Sequence, residues 1–324
     1  KNPKHLTYTQ KVDTIQIYIY IYIKCRNIEI LLIHAWDFTL PINLDSSFHL
    51  DPELIEAKIT PNTKALVSVP MWASPNMDAL EDICNKYSIM LIEDAAQSLG
   101  AEYKGRKLGT IGQMGSFSFD AGKTLHVGEG GIVITNDKEL YEKVAEFSDH
   151  GHMHIDGLPR GKDPRRMPGL NYRMSELTAA VGLAQLKKID YILSETKKNK
   201  YLLKDMLEKL PNIEMRKFHD EVGAQGDTLI FSVESNNVAI ELEKALLAEG
   251  FGTKILPEAI DWHFAGVWNH VFKDRTLEEL EDEFKSSGDL LRRSICLNIP
   301  VKLSKDSINK ITSVISDFVN SSRF

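Results

Sequence analysis

Lys123 is the residue in this chain whose surroundings most call for a chemical explanation. It lies in Gly122-Lys123-Thr124, the ending of a loop that cradles phosphates in many nucleotide-binding proteins. Such a loop needs a further glycine at position 117, and Phe117 stands there instead. A phenylalanine does not readily adopt the positive φ that glycine supplies. We therefore disfavour a nucleotide-hydrolysing enzyme, which would show magnesium-dependent phosphatase activity.

The flanking segments predict that Lys123 lies on a loop between two strands. Residues 116–119 alternate polar and apolar side chains, which is the period of a strand with one buried face. A glycine-rich stretch at 128–131 then leads into the apolar run 132–135. A phosphate-binding loop would instead lead into a helix.

A carboxylate stands in a comparable place, at the end of another predicted strand. Residues 89–92 are apolar and are followed by Asp94. Ligands gather at the carboxyl ends of parallel strands. A lysine amine can form a Schiff base with pyridoxal phosphate, a carboxylate can hold the pyridine nitrogen protonated, and a hydroxyl such as that of Ser118 can bind the phosphate. Each residue alone is more often solvated or a helix cap, so this cofactor is one candidate among several.

Bulk composition narrows the class of protein. The chain has 324 residues, a net charge of -7 and three cysteines without metal or redox spacing. We expect two domains, a reducing cytoplasmic location, and no general attraction to nucleic acid or to an anionic membrane. The apolar runs near the N-terminus are shorter than the roughly 20 residues that span a bilayer.

Strands and helices alternate from about residue 41 onward. Residues 65–69 and 89–92 predict strands, and residues 51–59, 77–87 and 175–189 predict helices, the last rich in small residues that permit close packing. Strand, helix and strand in succession favour a buried parallel sheet. We expect an atypical segment over 1–40, a large domain over 41–190 and a smaller domain over 191–324, with helices at 239–250 and 304–319.

Residues 17–23 form an Ile-Tyr repeat that does not read like the rest. Such a segment is prone to β-structure. It predicts either a buried edge or central strand, or a region that is not the natural beginning of the fold, since an AT repeat in DNA translates into this alternation.

Five short motifs in the middle of the chain are together more specific than any one of them. They are Glu93-Asp-Ala-Ala-Gln-Ser-Leu-Gly-Ala101, Tyr103-Lys-Gly-Arg106, Gly115-Ser-Phe-Ser-Phe119, Lys123 followed by Gly128-Glu-Gly-Gly131, and Asn171-Tyr-Arg-Met174. In this order they closely resemble the DegT/DnrJ/StrS family of sugar aminotransferases, from about residue 41 to the end. The resemblance implies the aspartate-aminotransferase-like α/β fold (type I) of pyridoxal-phosphate enzymes, with a mostly parallel sheet in a large domain and a smaller α+β C-terminal domain.

The same resemblance implies a role for each matching position. Lys123 would be the Schiff-base lysine and the base that moves the proton, and Asp94 would pair with the pyridine nitrogen. Gln97 would hydrogen-bond near the ring hydroxyl, and Ser118 would hold the phosphate. Asn171 would reach the cofactor of a neighbouring subunit, which implies a homodimer with shared sites. A related dehydratase subgroup carries histidine in place of the lysine, so Lys123 favours transamination.

The implied reaction transfers an amino group, from glutamate as the expected donor, to a keto- or aldehyde-sugar used for surface polysaccharide or lipopolysaccharide. The basic loop 159–166 is either a solvated connection or an anion clamp for a nucleotide-linked sugar or a sugar acid. Candidate substrate contacts are Arg160, Arg165, Arg166 and His126, although His126 is also a residue that would pack or face solvent. This loop and residues 262–268 are similar to the 8-amino-3,8-dideoxy-octulosonate transaminase subgroup.

Two features limit these expectations. The family carries a Gly-Thr or Gly-Ser loop that opens a helix and binds the cofactor phosphate, and residues 1–40 contain no such sequence. We therefore expect the first part of the large domain to be truncated or aberrant, and the alternative expectation for function is a truncated, non-catalytic homologue with impaired cofactor binding that acts, if at all, through association with an intact subunit. Separately, His150-Gly-His-Met-His154 has a spacing that can bind a metal from a strand, but the glycines at 151 and 157 favour a mobile loop, and we expect no metal.

Overall fold

A computed structural model of this chain describes residues 20–22, 41–253, 256–257 and 264–320. The strands are β1 Tyr20–Tyr22, β2 Ala65–Ser68, β3 Met90–Asp94, β4 Glu102–Tyr103, β5 Arg106–Lys107, β6 Met114–Ser118, β7 Gly131–Ile134, β8 Glu214–Met215, β9 Thr228–Ser232 and β10 Ser294–Asn298. The α-helices are α1 Pro52–Ile55, α2 Met77–Tyr87, α3 Lys138–Ser148, α4 Glu176–Leu186, α5 Ile189–Leu207, α6 Asn236–Ala248, α7 Leu277–Glu283, α8 Lys285–Arg292 and α9 Lys305–Asn320. Three-residue 3₁₀ helices cover Glu56–Lys58, Arg160–Lys162 and Ala265–Val267.

The larger sheet has the order β1-β7-β6-β3-β2. β2, β3 and β6 are parallel, whereas β7 is antiparallel to β6 and β1 is antiparallel to β7. The predicted parallel arrangement is confirmed for β2, β3 and β6. Their carboxyl ends therefore meet at one edge of the sheet. Residues 20–22, the described part of the Ile-Tyr repeat, form the edge strand β1.

Helix α2 covers one face of this sheet, and its sequence explains where it begins. The side chain of Asn76 accepts a hydrogen bond from Ala79 N and so caps the first turn. Leu80 is fully buried in a cluster that also contains Leu66 of β2 and Leu91 of β3. The helix has the bounds that the apolar spacing predicts. The opposite face of β2 is less covered, since Val67 is 53% exposed.

Glu93 fixes the loop that follows β5 to the middle of the sheet. Its side chain is completely buried and accepts hydrogen bonds from the backbone N–H groups of Gly109, Ile111 and Gly112, each at 2.7 Å. Burial raises the pKa of the Glu93 carboxyl, and the three donors oppose that rise. The loop therefore depends on a single buried acid next to Asp94.

The smaller sheet, in the order β10-β9-β8, is antiparallel throughout. Its core combines Phe231 of β9 and Ile295 of β10 with Leu203 of α5, Leu242 of α6 and Ile311 of α9. The two helices predicted here are present, with α6 beginning three residues before the predicted 239 and α9 close to the predicted bounds. The division of the chain into domains at residue 190 stays a prediction.

The predicted helix over residues 175–189 is divided in the structure. Helix α4 ends at Leu186, and α5 begins at Ile189 after a short break. The small residues of α4 led us to expect close packing, yet none of its residues is buried among the described part of the chain. One close approach is at Gly182, where an added Cβ would lie 3.3 Å from the Val127 side chain.

Candidate active site

A cavity of about 270 Å³ lies at the carboxyl ends of the three parallel strands. Its wall is made by Trp72 after β2, by the turn at 96–99 after β3, and by the segment 118–124 after β6. Gln225 and Asp227, which precede β9, close the remaining side. The volume is just under the roughly 300 Å³ at which small-molecule sites begin. Parallel strand order thus brings together residues that are far apart in the sequence.

Lys123 is half-buried in the wall of this cavity. Its backbone N–H donates to Asp120 O at 3.0 Å, and Gly122 N donates to the Asp120 carboxylate at 2.9 Å, so the segment is a tight turn. The chain continues through a loop into β7, which is antiparallel to β6. The prediction that Lys123 lies between two strands is confirmed, and no helix follows it as a phosphate-cradling loop requires.

Gln97 and Ser118 line the same cavity as Lys123. Gln97 lies in a turn rather than one helical turn beyond Asp94, and its Oε1 atom is buried with no hydrogen-bond partner among the described residues. The Ser118 hydroxyl oxygen accepts from Asp120 N at 3.3 Å. A buried acceptor without a partner costs roughly 1–3 kcal/mol, which points to a ligand or water at this place.

Asp94 begins the turn that supplies Ala96 and Gln97, but it does not itself line the cavity. It pairs with Ser116 across the parallel strands β3 and β6. Its Oδ1 atom accepts from Ala96 N at 3.2 Å and from the Ser116 hydroxyl at 3.3 Å. These two hydrogen bonds hold the Asp94 carboxylate at the end of the strand.

Trp72 was missed by the sequence analysis, and the structure holds it firmly. It is 2% exposed and has a φ of 59°, a left-handed conformation that few residues other than glycine adopt. The preceding residue is fixed on both sides, since Arg216 donates to Met71 O at 2.7 Å and Met71 N donates to His49 Nε2 at 3.1 Å. Burial and the neighbouring Arg216 hold the pKa of His49 well below its usual value, so its ring is a neutral acceptor.

Thr124, Gln225 and Asp227 were also missed, and they form one hydrogen-bonded group. The Gln225 amide donates to the Thr124 hydroxyl, which donates to Asp227 at 3.0 Å. Thr124 directly follows Lys123, whereas the other two lie about one hundred residues later. A regular sequence pattern cannot reveal a pairing of that length.

The predicted substrate and partner residues lie outside the cavity wall. His126 and Asn171 are exposed, and the Asn171 side chain accepts from Arg173 Nε at 3.0 Å. Arg160 is paired with the buried Asp149, and this hydrogen bond holds the pKa of the Asp149 carboxyl far below its usual value. The anion clamp stays a prediction. In the described part of the chain, the arginines of this loop already contact protein groups.

The other two arginines of the basic loop are engaged in the same way. Arg166 binds Glu146 and Glu142, and the hydrogen bonds raise the pKa of its guanidinium. Arg165 contacts His152 Nε2 at 3.4 Å.

The side chains of the three neighbouring histidines each lie close to an aspartate. His150 and His154 lie 3.1 Å and 3.7 Å from Asp149, and His152 lies 3.4 Å from Asp163. Within the part of the chain that the structure describes, no group of three or more acidic, histidine or cysteine side chains has an arrangement suited to a metal ion.

The chain matches the model of the DegT/DnrJ/EryC1/StrS aminotransferase family over residues 39–316. It is 36% identical over 159 residues to a GDP-perosamine synthase of Caulobacter vibrioides, a match that covers 46% of this chain and 40% of that protein. It is 27% identical over 285 residues to a spore coat polysaccharide biosynthesis protein of Bacillus subtilis, covering 85% of this chain and 72% of that protein. The chain therefore spans less than half of one of these relatives.

Solved structures share the fold over most of the chain. An aminotransferase of Helicobacter pylori involved in pseudaminic acid biosynthesis superimposes with a TM-score of 0.78 at 20% identity, covering 94% of this chain and 87% of that one. The DesV protein of S. venezuelae superimposes with a TM-score of 0.73 at 26% identity, covering 87% and 72% of the two chains. Both agree with the predicted type I fold. Among the described helices, none is long and apolar enough to serve as a membrane span.

Proposed function

Because this chain belongs to the DegT/DnrJ/EryC1/StrS aminotransferase family, we propose that it is a pyridoxal-phosphate aminotransferase that acts on a keto- or aldehyde-sugar. The observation that carries the proposal is the convergence of Lys123, Gln97 and Ser118 on one cavity at the edge of the parallel sheet. These three residues match three separate motifs, and only the fold brings them together.

The residues around the cavity fit the proposed cofactor. An amine is needed for the aldehyde, a polar group for the ring hydroxyl and a hydroxyl for the phosphate. Lys123, Gln97 and Ser118 offer these groups, and Asp94 stands at the start of the turn that carries Gln97. The unpartnered Oε1 atom of Gln97 supports a bound group at this place.

Each residue then has a defined task. The cofactor supplies an electron sink that stabilises negative charge on the carbon bearing the amino group. Lys123 Nζ would hold the cofactor through its aldehyde and, when released, would take a proton from that carbon of the donor and give one to the acceptor carbon. Asp94 would keep the ring nitrogen protonated, Gln97 would orient the ring, and Ser118 would anchor the phosphate.

We also propose an amino donor, a fate for the product and a subunit arrangement. The amino donor is glutamate, and the product enters a surface polysaccharide. The Bacillus relative, named for spore coat polysaccharide biosynthesis, supports the polysaccharide assignment, and the Caulobacter relative, named for a GDP-sugar, supports a sugar acceptor. The active form is a cytoplasmic homodimer in which Asn171 of one subunit reaches the cofactor of the other. The exposed position of Asn171 is compatible with that contact.

Replacement of Lys123 tests the proposal directly. The full chain should gain a visible absorbance band when pyridoxal phosphate is added, and borohydride reduction should then fix the cofactor mass on the peptide that contains Lys123. Lys123→Ala should abolish both signals. Lys86→Ala, which removes a 59% exposed lysine, should leave both unchanged. Labelling spread over surface lysines, with no dependence on Lys123, would refute the proposal.

A further inference from the structure

Gln225 is a buried residue of the cavity wall whose backbone is held on both its N–H and its C=O. It is 4% exposed, its N–H donates to Trp72 O at 2.9 Å, and its C=O accepts from Lys200 Nζ at 2.8 Å. The next residue, Gly226, lies directly against helix α5, since an added Cβ would be 2.1 Å from Lys197 N. The Gln225 backbone is therefore anchored by two hydrogen bonds and by the close approach of the next residue to α5.

The orientation of the Gln225 amide follows from its neighbours. The Thr124 hydroxyl donates its one proton to the side chain of Asp227. Thr124 Oγ1 must then accept the bond from Gln225, and only the amide nitrogen can donate it. The amide oxygen is consequently turned away from Thr124.

That oxygen is a buried acceptor without a donor. Gln225 Oε1 has no hydrogen-bond partner among the described residues, although the side chain lines the cavity that contains Lys123. Buried polar atoms are nearly always paired in folded proteins, so each exception points to water or a ligand. The ligand must offer a donor.

Chemistry distinguishes the possible ligands. The phosphate oxygens of the proposed cofactor are acceptors at neutral pH and would repel an amide oxygen, whereas a sugar presents several hydroxyl donors. We propose that Gln225 is a specificity-determining residue that accepts a hydrogen bond from a hydroxyl group of the sugar, and that Lys200 is the positioning residue that holds it. This inference rests on the proposed function and names a contact for its substrate.

Equilibrium binding of two probes tests this contact without turnover. D-glucosamine carries ring hydroxyls, and cyclohexylamine is an amine of similar ring size without them. Gln225→Met, which keeps the side-chain length, should weaken glucosamine binding to the full chain about 3- to 10-fold, the usual range for one neutral hydrogen bond, and should leave cyclohexylamine binding unchanged. Dissociation constants can be measured by ligand-observed NMR titration.

A matched control removes an amide elsewhere. Asn85→Leu, on an exposed position of α2, should change neither constant. Equal affinity of Gln225→Met and the unaltered chain for glucosamine, an equal loss for both probes, or no binding of glucosamine by the unaltered chain would each overturn the inference.

Lys200 is tested by its coupling to Gln225. Lys200→Met should weaken glucosamine binding selectively, and the double variant should be no weaker than Gln225→Met alone, because both changes remove the same contact. Additive losses would overturn the positioning role. If Lys123 fails to bind pyridoxal phosphate while the glucosamine preference persists, the aminotransferase proposal fails and Gln225 is still a sugar-binding residue.

Discussion

Lys200 is a lysine of helix α5 whose amine is buried in the protein. It is 3% exposed, and burial lowers its pKa to about 7, with the positive charge of Arg216 acting in the same direction. Its Nζ nevertheless donates to Gln225 O, so the residue is held in place in either protonation state. A buried lysine of this kind links the stability of the chain to pH.

The direction of that linkage can be predicted. A lysine in the unfolded chain titrates near about 10.4, so between pH 7 and 10 the unfolded state binds more protons than the folded state. The buried Lys200 therefore lowers the free energy of unfolding as pH falls from 10 towards 7, by up to about 1.4 kcal/mol per pH unit. The free energy of unfolding rises again as pH rises. Denaturant unfolding at pH 7, 8 and 9 should show a slope that Lys200→Met lacks.

Lys198 gives the comparison for this experiment. It is on the same helix with a side chain that is 64% exposed, and Lys198→Met should retain the slope of the unaltered chain. Parallel curves for Lys200→Met and the unaltered chain would show that Lys200 keeps an ordinary pKa.

Short sequence motifs located Lys123, Gln97 and Ser118, but gave no indication of Trp72, Gln225 or Asp227 in the same cavity wall. Gln97 was identified through the family resemblance, whereas Lys123 and Ser118 could also be predicted because they lie after or at the end of an apolar strand whose carboxyl end must lie at one sheet edge. Gln225 could not, because its place depends on Gly226 passing close to α5 and on a bond to Thr124. Such contacts arise from tertiary packing and have no local period.

Strand β6 leads into the turn that carries Lys123. At Gly115 the backbone of this strand passes very close to another segment of the chain. A Cβ added there would lie 1.9 Å from Gly109 O, in the loop that Glu93 binds through Gly109 N. Neither the loop nor the strand can move without losing those hydrogen bonds. Helix propensity and hydrophobic pattern give no warning of this close approach.

We predict that Gly115→Ala destabilises the chain by about 3 kcal/mol, because the added methyl group overpacks a buried backbone contact. The free energy of unfolding from denaturant titration measures the loss. Gly161→Ala serves as the control, since no atom lies within 4 Å of a Cβ added there and its φ is not in the left-handed region. A change within about 0.5 kcal/mol is expected for that exposed position. Similar losses for the two variants would contradict the close packing at Gly115.

Helix α4 carries apolar side chains that the described part of the chain leaves exposed. Leu177 is 84% exposed and Leu183 is 61% exposed, and Val181 and Leu186 are about half exposed. A helix that is apolar on all sides is normally buried, and contiguous apolar patches on a surface mark interaction sites. At Gly182 the same helix approaches Val127, in the loop that follows Lys123. Coverage of α4 would therefore also stabilise one side of the cavity.

Self-association through α4 follows from the proposed homodimer. Burying a leucine contributes roughly 1.5–3 kcal/mol, and a lysine in its place would have to lose its hydration, so Leu177→Lys combined with Leu183→Lys should raise the dimer dissociation constant by on the order of 100-fold or more. Light scattering after size exclusion should give twice the chain mass for the unaltered protein and the chain mass for this variant. Leu247→Lys changes a leucine that is 62% exposed on α6 and should remain dimeric. An unaltered chain that is monomeric at micromolar concentration would contradict the homodimer, and Asn171 would then have no neighbouring cofactor to reach. A double variant that still dimerises would place the subunit interface elsewhere.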